Sequence, residues 1–314
     1  MADLFLGYLK ILGWVGLPIG LGVVARRVVP ARSLSRTLFD VSFYGCYTPI
    51  MVLSVWIARF SDSAVWLPLL ALCGWLISAG FAWVLSQPLE HGPRERGAFI
   101  SVMCQSNIGF TLLGLVALTL FGETGLAQAA YTQLFYVPFY LLFCFPIARA
   151  YGRREQGGLG RLLLDNLVDP RVWVPLSAMS LGLALNLSGI ERPEWCRTVT
   201  APAIYLGAAL AGVAIGLLYS GLFLERYRRE HLISFGYRST LYPLLFFGMA
   251  ALFGLGGLDT RVLVLYGLVP SGLLANVLAM YFELDTELTS SVFMVGTGAF
   301  LVAVLPAYAY FAMP

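Results

Sequence analysis

Stretches of eighteen or more residues with almost no charge recur from one end of this chain to the other. Each is long enough to cross a hydrocarbon core about 30 Å thick. Composition agrees: 59% of the residues are hydrophobic and 12% charged, with a mean hydropathy of +0.80. A soluble domain needs roughly 25% charged residues to cover its surface. Inside lipid a chain must satisfy its own backbone donors and acceptors, so these runs are expected to be helices. The alternation of a membrane barrel is absent. Ten spans are expected, at 4–25, 36–58, 65–87, 98–119, 124–148, 171–190, 198–222, 232–254, 261–282 and 288–312. The fold class is therefore all-α integral membrane. The first span runs into Arg26-Arg27 without a small-residue cleavage site and reads as a helix, not a removable signal.

The spans fall into two sets of five, 1–148 and 171–314, joined by a polar, arginine-bearing linker at 149–170. Corresponding spans are offset by about 165 residues, as an inverted repeat with an odd helix count per half would require. Ten evenly spaced helices of any origin would give a similar offset. Arginine sets the orientation. Fourteen arginines occupy alternate connections: Arg26, Arg27, Arg32, Arg36, Arg94, Arg96, Arg149, Arg153, Arg154, Arg161, Arg171, Arg226, Arg228 and Arg229. The opposite connections hold Arg59, Arg192, Arg197 and Arg261. The first set is cytoplasmic on this rule, which puts both termini outside, and the linker is then cytoplasmic too. The net charge of +3 is scattered in short clusters, unlike the continuous basic face that nucleic acid demands. The five cysteines show no paired spacing, so neither a disulfide framework nor a metal site is expected.

Two spans differ from the rest. The fourth places Gln105, Ser106 and Asn107 consecutively near mid-membrane, followed by Gly109 and Gly114; the ninth centres on Pro270, Ser271 and Gly272, with Asn276 beyond. They are equivalent helices of the two halves. Proline removes a backbone donor and glycine releases helical geometry, so both are expected to be interrupted and to cross. A half-helix restarting beyond a break presents free N–H groups and a positive dipole end, which is an anion site. Asn107 and Asn276 would then converge on one carboxylate. The competing explanation makes Gln, Ser and Asn interhelical hydrogen-bonding groups and Pro270 a plain kink.

At these residues the chain resembles the auxin efflux carrier family, the PIN-like and bacterial organic-acid permeases. The family's helix 4 pattern is roughly N-x-G-F-x-G-x-P, and Asn107-Ile108-Gly109-Phe110 keeps its first half. Its helix 9 pattern appears as Pro270-Ser271-Gly272, Asn276, Ala279 and Tyr281; Gly20-Leu21-Gly22 ahead of Arg26-Arg27, and Pro49, also fit. The helix 4 proline is missing, and Gly114 stands near where it would fall. The resemblance implies a ten-helix inverted repeat in which helices 4 and 9 unwind and cross. It implies elevator-type alternating access, with helices 1, 2, 6 and 7 as scaffold and 3–5 and 8–10 as carrier. It also implies a homodimer in the bacterial inner membrane, with a small organic anion as substrate.

Lys10, Asp40 and Arg238 lie deepest inside spans, where charge marks function. Lys10 and Arg238 can also snorkel to an interface. Asp40 is too short to do so; Asp40 and Arg238 are the candidates for coupling or gating, as a pair or through titration. Tyr44, Tyr47, Tyr131, Phe135 and Tyr136 either line a cavity or pack, and Tyr227, Tyr281 and Phe282 fit an interfacial belt. His91 and His231 fall in connections, and no catalytic constellation lies at membrane depth, so an enzyme and a resident cofactor are not expected. Coupling to Na+ or H+ stays open. The alternatives are a carrier of a neutral or cationic solute and a non-transporting sensor or subunit.

Overall fold

A computed structural model describes residues 2–58, 65–152, 170–219 and 221–312, and every regular element among them is a helix. α1 is Ala2–Ala25, α2 is Ala31–Trp56, α3 is Trp66–Leu85 and α4 is Pro93–Cys104. A wide turn, Phe110–Gly114, leads into α5, Leu115–Thr132, and α6 follows from Tyr136 to Tyr151. In the second half come α7, Pro170–Leu187; α8, Trp195–Leu217; and α9, from Arg228 to Leu252. α10 is Gly257–Leu268, α11 is Leu274–Tyr281, and α12 runs from Thr286 to Ala312. The expected linker at 149–170, with Gly158 and Gly160, lies mostly outside the described residues.

Six described stretches are long and apolar enough to cross a membrane: Leu6–Ala25, Ala31–Trp56, Trp66–Leu85, Phe110–Tyr151, Trp195–Leu217 and Thr286–Phe311. The difference from ten has identifiable causes. The spans expected at 98–119 and 261–282 are interrupted, so neither offers an unbroken stretch of that length. In α9, Arg238, Ser239 and Thr240 dilute an otherwise apolar helix, and in α7 the apolar part is only Trp173–Leu187. Phe110–Tyr151 counts as one stretch of 42 residues, about 63 Å of helix at 1.5 Å per residue. It turns at Gly122, whose φ of 68° and ψ of −162° no helix contains.

Proline shapes these helices without breaking them. A wide, π-helical turn occurs at Val41–Tyr47, Tyr140–Cys144, Tyr237–Leu241 and Phe300–Val304, and each stands just before a proline: Pro49, Pro146, Pro243 and Pro306. The proline ring collides with the carbonyl four residues earlier and offers it no donor. Inserting a residue into that turn moves the carbonyl aside and lets the helix continue. A fifth wide turn, Phe110–Gly114, has no proline and opens the helix that follows a break.

Lipid tails are as apolar as leucine, so close backbone approach and hydrogen bonding must hold such helices together. α1 meets α8 where Gly22 faces Gly216; a methyl on Gly22 would stand 2.8 Å from the Gly216 Cα. α2 is tied to α8 by Ser35, which donates to the Ala214 carbonyl at 3.0 Å, and by Ser42, which donates to Gly207 at 2.8 Å. Asn186 of α7 donates to the carbonyls of Trp56 and Ala58 at the end of α2, at 2.7 and 2.9 Å. The second group packs around Trp75 of α3, which is fully buried. Its ring centroid lies 5.3 Å from Tyr136 and Phe139 of α6 and 5.8 Å from Tyr266 of α10.

Candidate functional site

α4 stops at Cys104 and α10 at Leu268, and beyond each the backbone becomes extended: Gln105 has φ −106° and ψ 124°, Val269 φ −62° and ψ 141°. The two extended stretches lie antiparallel and are joined at Ser106 and Ser271. The Asn107 amide donates to the Pro270 carbonyl at 2.7 Å, and the Gly272 amide to the Gln105 carbonyl at 2.9 Å. Pro270 offers a carbonyl and has no N–H to satisfy. Gly272 allows the approach, because a Cβ there would lie 2.6 Å from the Ser106 carbonyl oxygen. Gln105, Ser106 and Ser271 are almost wholly buried. Neither end of the Gln105 amide nor the Ser271 hydroxyl has a partner among the described residues.

The carbonyl ends of both broken helices face Arg238. Its Nη2 donates to Met103 and Gln105 at 2.8 Å and to Val102 at 3.2 Å; its Nη1 donates to the Ser106 hydroxyl at 2.5 Å and lies 3.5 Å from the Val269 carbonyl. The guanidinium carbon also stands 5.5 Å from the centre of the Tyr242 ring. Arg238 is 4% exposed and forms no ion pair with a carboxylate among the described residues. It does not snorkel. The negative ends of two helix dipoles, which would be costly to bury bare, are capped by a side chain carrying a full positive charge.

The opposite ends of the same breaks are donors. The helix restarts at Phe110 after Gly109, and at Leu274 after Leu273. Most first-turn N–H groups are already used: Leu112, Leu113, Ala275 and Asn276 donate to the carbonyls of Gly109, Asn107, Gly272 and Leu273, which leaves those of Phe110, Thr111 and Leu274 without an acceptor among the described residues. The asparagines flank these restarts with their acceptors already used: Asn107 Oδ1 receives the Thr111 hydroxyl at 2.8 Å, and Asn276 Oδ1 receives the Ser290 hydroxyl at 3.2 Å. Both are left with NH2 donors. They do not bond to one another. Chemically the crossing therefore offers donors, helix N-termini and one buried cation, and neither broken stretch contains a carboxylate. Among the described residues no three His, Cys, Asp or Glu side chains come together to hold a metal.

Residues 159–308 match the model of a family described as membrane transport protein. Over that segment the chain is similar to the membrane transport family. This is the auxin efflux carrier-like family to which Asn107-Ile108-Gly109-Phe110 and Pro270-Ser271-Gly272 pointed, and the matched segment contains the α10–α11 break. The chain is also 28% identical over 313 residues to an uncharacterised transporter of Methanothermobacter thermautotrophicus, covering 95% of this chain and 91% of that one. It is 28% identical over 214 residues to an uncharacterised transporter of Methanocaldococcus jannaschii, 67% of each chain. Six stretches long and apolar enough to cross a membrane agree with this similarity to multi-pass transporters.

Other residues sit differently from expectation. Asp40 is half-buried on α2 and does not pair with Arg238, whose two terminal nitrogens are committed to the crossing. Lys10 is exposed. Tyr227 and Phe282 are 2% and 3% exposed and are not a belt, since Tyr227 donates to Asp285 at 3.0 Å; Tyr281 is exposed. Tyr47 packs its ring 5.6 Å from Phe110, beside the restart of the first broken helix. Sequence reasoning missed Glu123, which pairs with Arg192 at 2.6 Å, and Asp259, which accepts from Gln128 at 2.8 Å. Both lie just outside the expected spans, in connections where a lone carboxylate carries no positional signal.

Proposed function

We propose that this protein carries a small organic anion, a carboxylate, with the crossing of the two broken helices as its binding site. The observation that carries the reading is the buried guanidinium of Arg238 at a crossing that contains no carboxylate. A buried cation without a carboxylate raises the potential around it and disfavours a cationic cargo by several kcal/mol. The amides of Phe110, Thr111 and Leu274, which have no acceptor among the described residues, and the NH2 groups of Asn107 and Asn276 add neutral donors suited to a carboxylate. Gln105, Ser106, Ser271 and Gly272 form the wall of the site, and Pro270 and Gly109 set its two turns.

The reading includes ten crossings in two inverted repeats. α4 with the helix after Phe110 makes the fourth crossing; α10 with α11 makes the ninth. The tightly packed set α1, α2, α7 and α8 supports a fixed frame, and the remaining helices form a carrier that alternates between the two sides, as in other inverted-repeat transporters. A homodimer in the bacterial inner membrane with both termini outside completes the proposal. Uptake into proteoliposomes of radiolabelled indole-3-acetate, malonate and other small carboxylates tests it, with a sugar and an organic cation alongside. Saturable uptake of at least one carboxylate is expected. Failure of every carboxylate while the sugar or the cation accumulates overturns the reading.

A further inference from the structure

Arg238 occupies a place whose chemistry is that of an ion site. Four backbone carbonyls and one hydroxyl converge on its guanidinium at 2.5 to 3.5 Å, and all come from the ends of the broken helices. Unwound backbone carbonyls and half-helix C-terminal ends are the groups that coordinate Na+ in carriers with interrupted helices. They are hard, neutral oxygens, and a monovalent cation satisfies them without a carboxylate. Here the cation is covalently attached. It arrives on α9 within the wide turn Tyr237–Leu241, which Pro243 imposes, and the Tyr242 ring lies beside it. Its charge is not neutralised by any carboxylate among the described residues.

We propose that Arg238 is a resident cation that fills the ion position of the crossing permanently, so that the carrier works without binding Na+ or K+. This deepens the anion-carrier reading and rests on it. A dissociable ion would have to be rebound each cycle before the two carbonyl ends could approach. A tethered guanidinium holds them together in the loaded and the empty carrier alike, and its charge travels with the site. Sodium or potassium gradients then contribute no driving force.

The test compares the wild-type protein with R238A and R238K in choline, sodium, potassium and dilute guanidinium chloride at matched ionic strength. Two readouts are used: thermal unfolding of the purified protein, and indole-3-acetate counterflow in proteoliposomes. The wild type is expected to show the same Tm and flux in all four salts. R238A should lose flux roughly ten- to hundredfold in choline, as for a deleted charged hydrogen-bonding group. Its Tm should rise saturably with guanidinium or sodium, which now bind the vacated oxygens. R238K should keep its indifference to the salt. Wild-type flux that requires sodium overturns the proposal, and so does a folded R238A that ignores every cation. Where R238A fails to fold, the wild-type and R238K arms still decide. If no carboxylate moves under any condition the carrier reading falls, while the Tm arm continues to judge Arg238.

Discussion

At Ser106 two residues act in opposite senses, Gly272 by having no side chain and Arg238 by having a long one. Replacing Gly272 with alanine forces a methyl to 2.6 Å from the Ser106 carbonyl oxygen. Overpacking of this kind costs about 1–3 kcal/mol, so G272A should lower Tm and flux together. Asn107 separates binding from folding better. Its Oδ1 already accepts from Thr111, and Asn107→Asp keeps that bond while replacing the NH2 donor by a charge like the substrate's. Carboxylate uptake should fall by roughly a hundredfold or more, since like charges placed together cost several kcal/mol, with Tm nearly unchanged. At the start of α9, burial pushes the His231 imidazole below 6.5, against the opposing influences of the Leu222 backbone and then Glu230, and the ring lies 3.0 Å from the Ser291 hydroxyl. The fold therefore favours the neutral ring. Its stability is whole above pH 6.5 and declines as the pH falls below it, because the unfolded chain takes up the proton first. A Tm–pH profile of H231N should lose that acid limb.

Helices show what a sequence discloses of such a chain. Seven of the ten expected spans lie within a few residues of single helices at the same places, because length and apolarity are local properties, while the one expected at 124–148 is divided between α5 and α6. The breaks near Gln105 and Pro270 were legible for the same reason: amides, glycine and proline are out of place in an unbroken apolar helix. The partners of Arg238 were not. A helical period assigns it a depth and a face, and depth alone makes snorkelling the natural reading. Its face depends on the wide turn at Tyr237–Leu241, which adds a residue to the helix and turns everything before it by about 100°. Restoring a regular turn with Pro243→Ala should swing Arg238 off the crossing. Flux in P243A is expected to fall about as far as in R238A, and guanidinium should rescue it in the same way. Retention of full flux would mean that the proline does not set the register.

Among the described residues the ion pairs gather at two ends of the molecule. At one, Arg226 reaches Glu287 at 2.5 Å, Asp285 at 3.7 Å and Glu95 at 3.9 Å, and His91 meets Glu230 at 2.6 Å, joining the starts of α4, α9 and α12. On the proposed division these elements all belong to the carrier. At the other end Glu123 links α5 to Arg192 in the connection between α7 and α8, which belongs to the frame. Breaking that pair should free the carrier from the state seen here. E123R and R192E singly should change flux up to about fivefold, the scale of a partly exposed pair, and the double exchange should restore it in proteoliposome uptake.

The two hydrogen bonds between the Asn107 and Pro270 stretches also limit how cargo can leave. Parting those strands would strand four peptide groups where no water can reach them, at several kcal/mol each. The knot at the centre must therefore stay tied throughout the cycle. On the proposed division, what slides is the frame around it, and access is decided at the rim, by how the α1, α2, α7 and α8 face meets the helix restarting at Phe110.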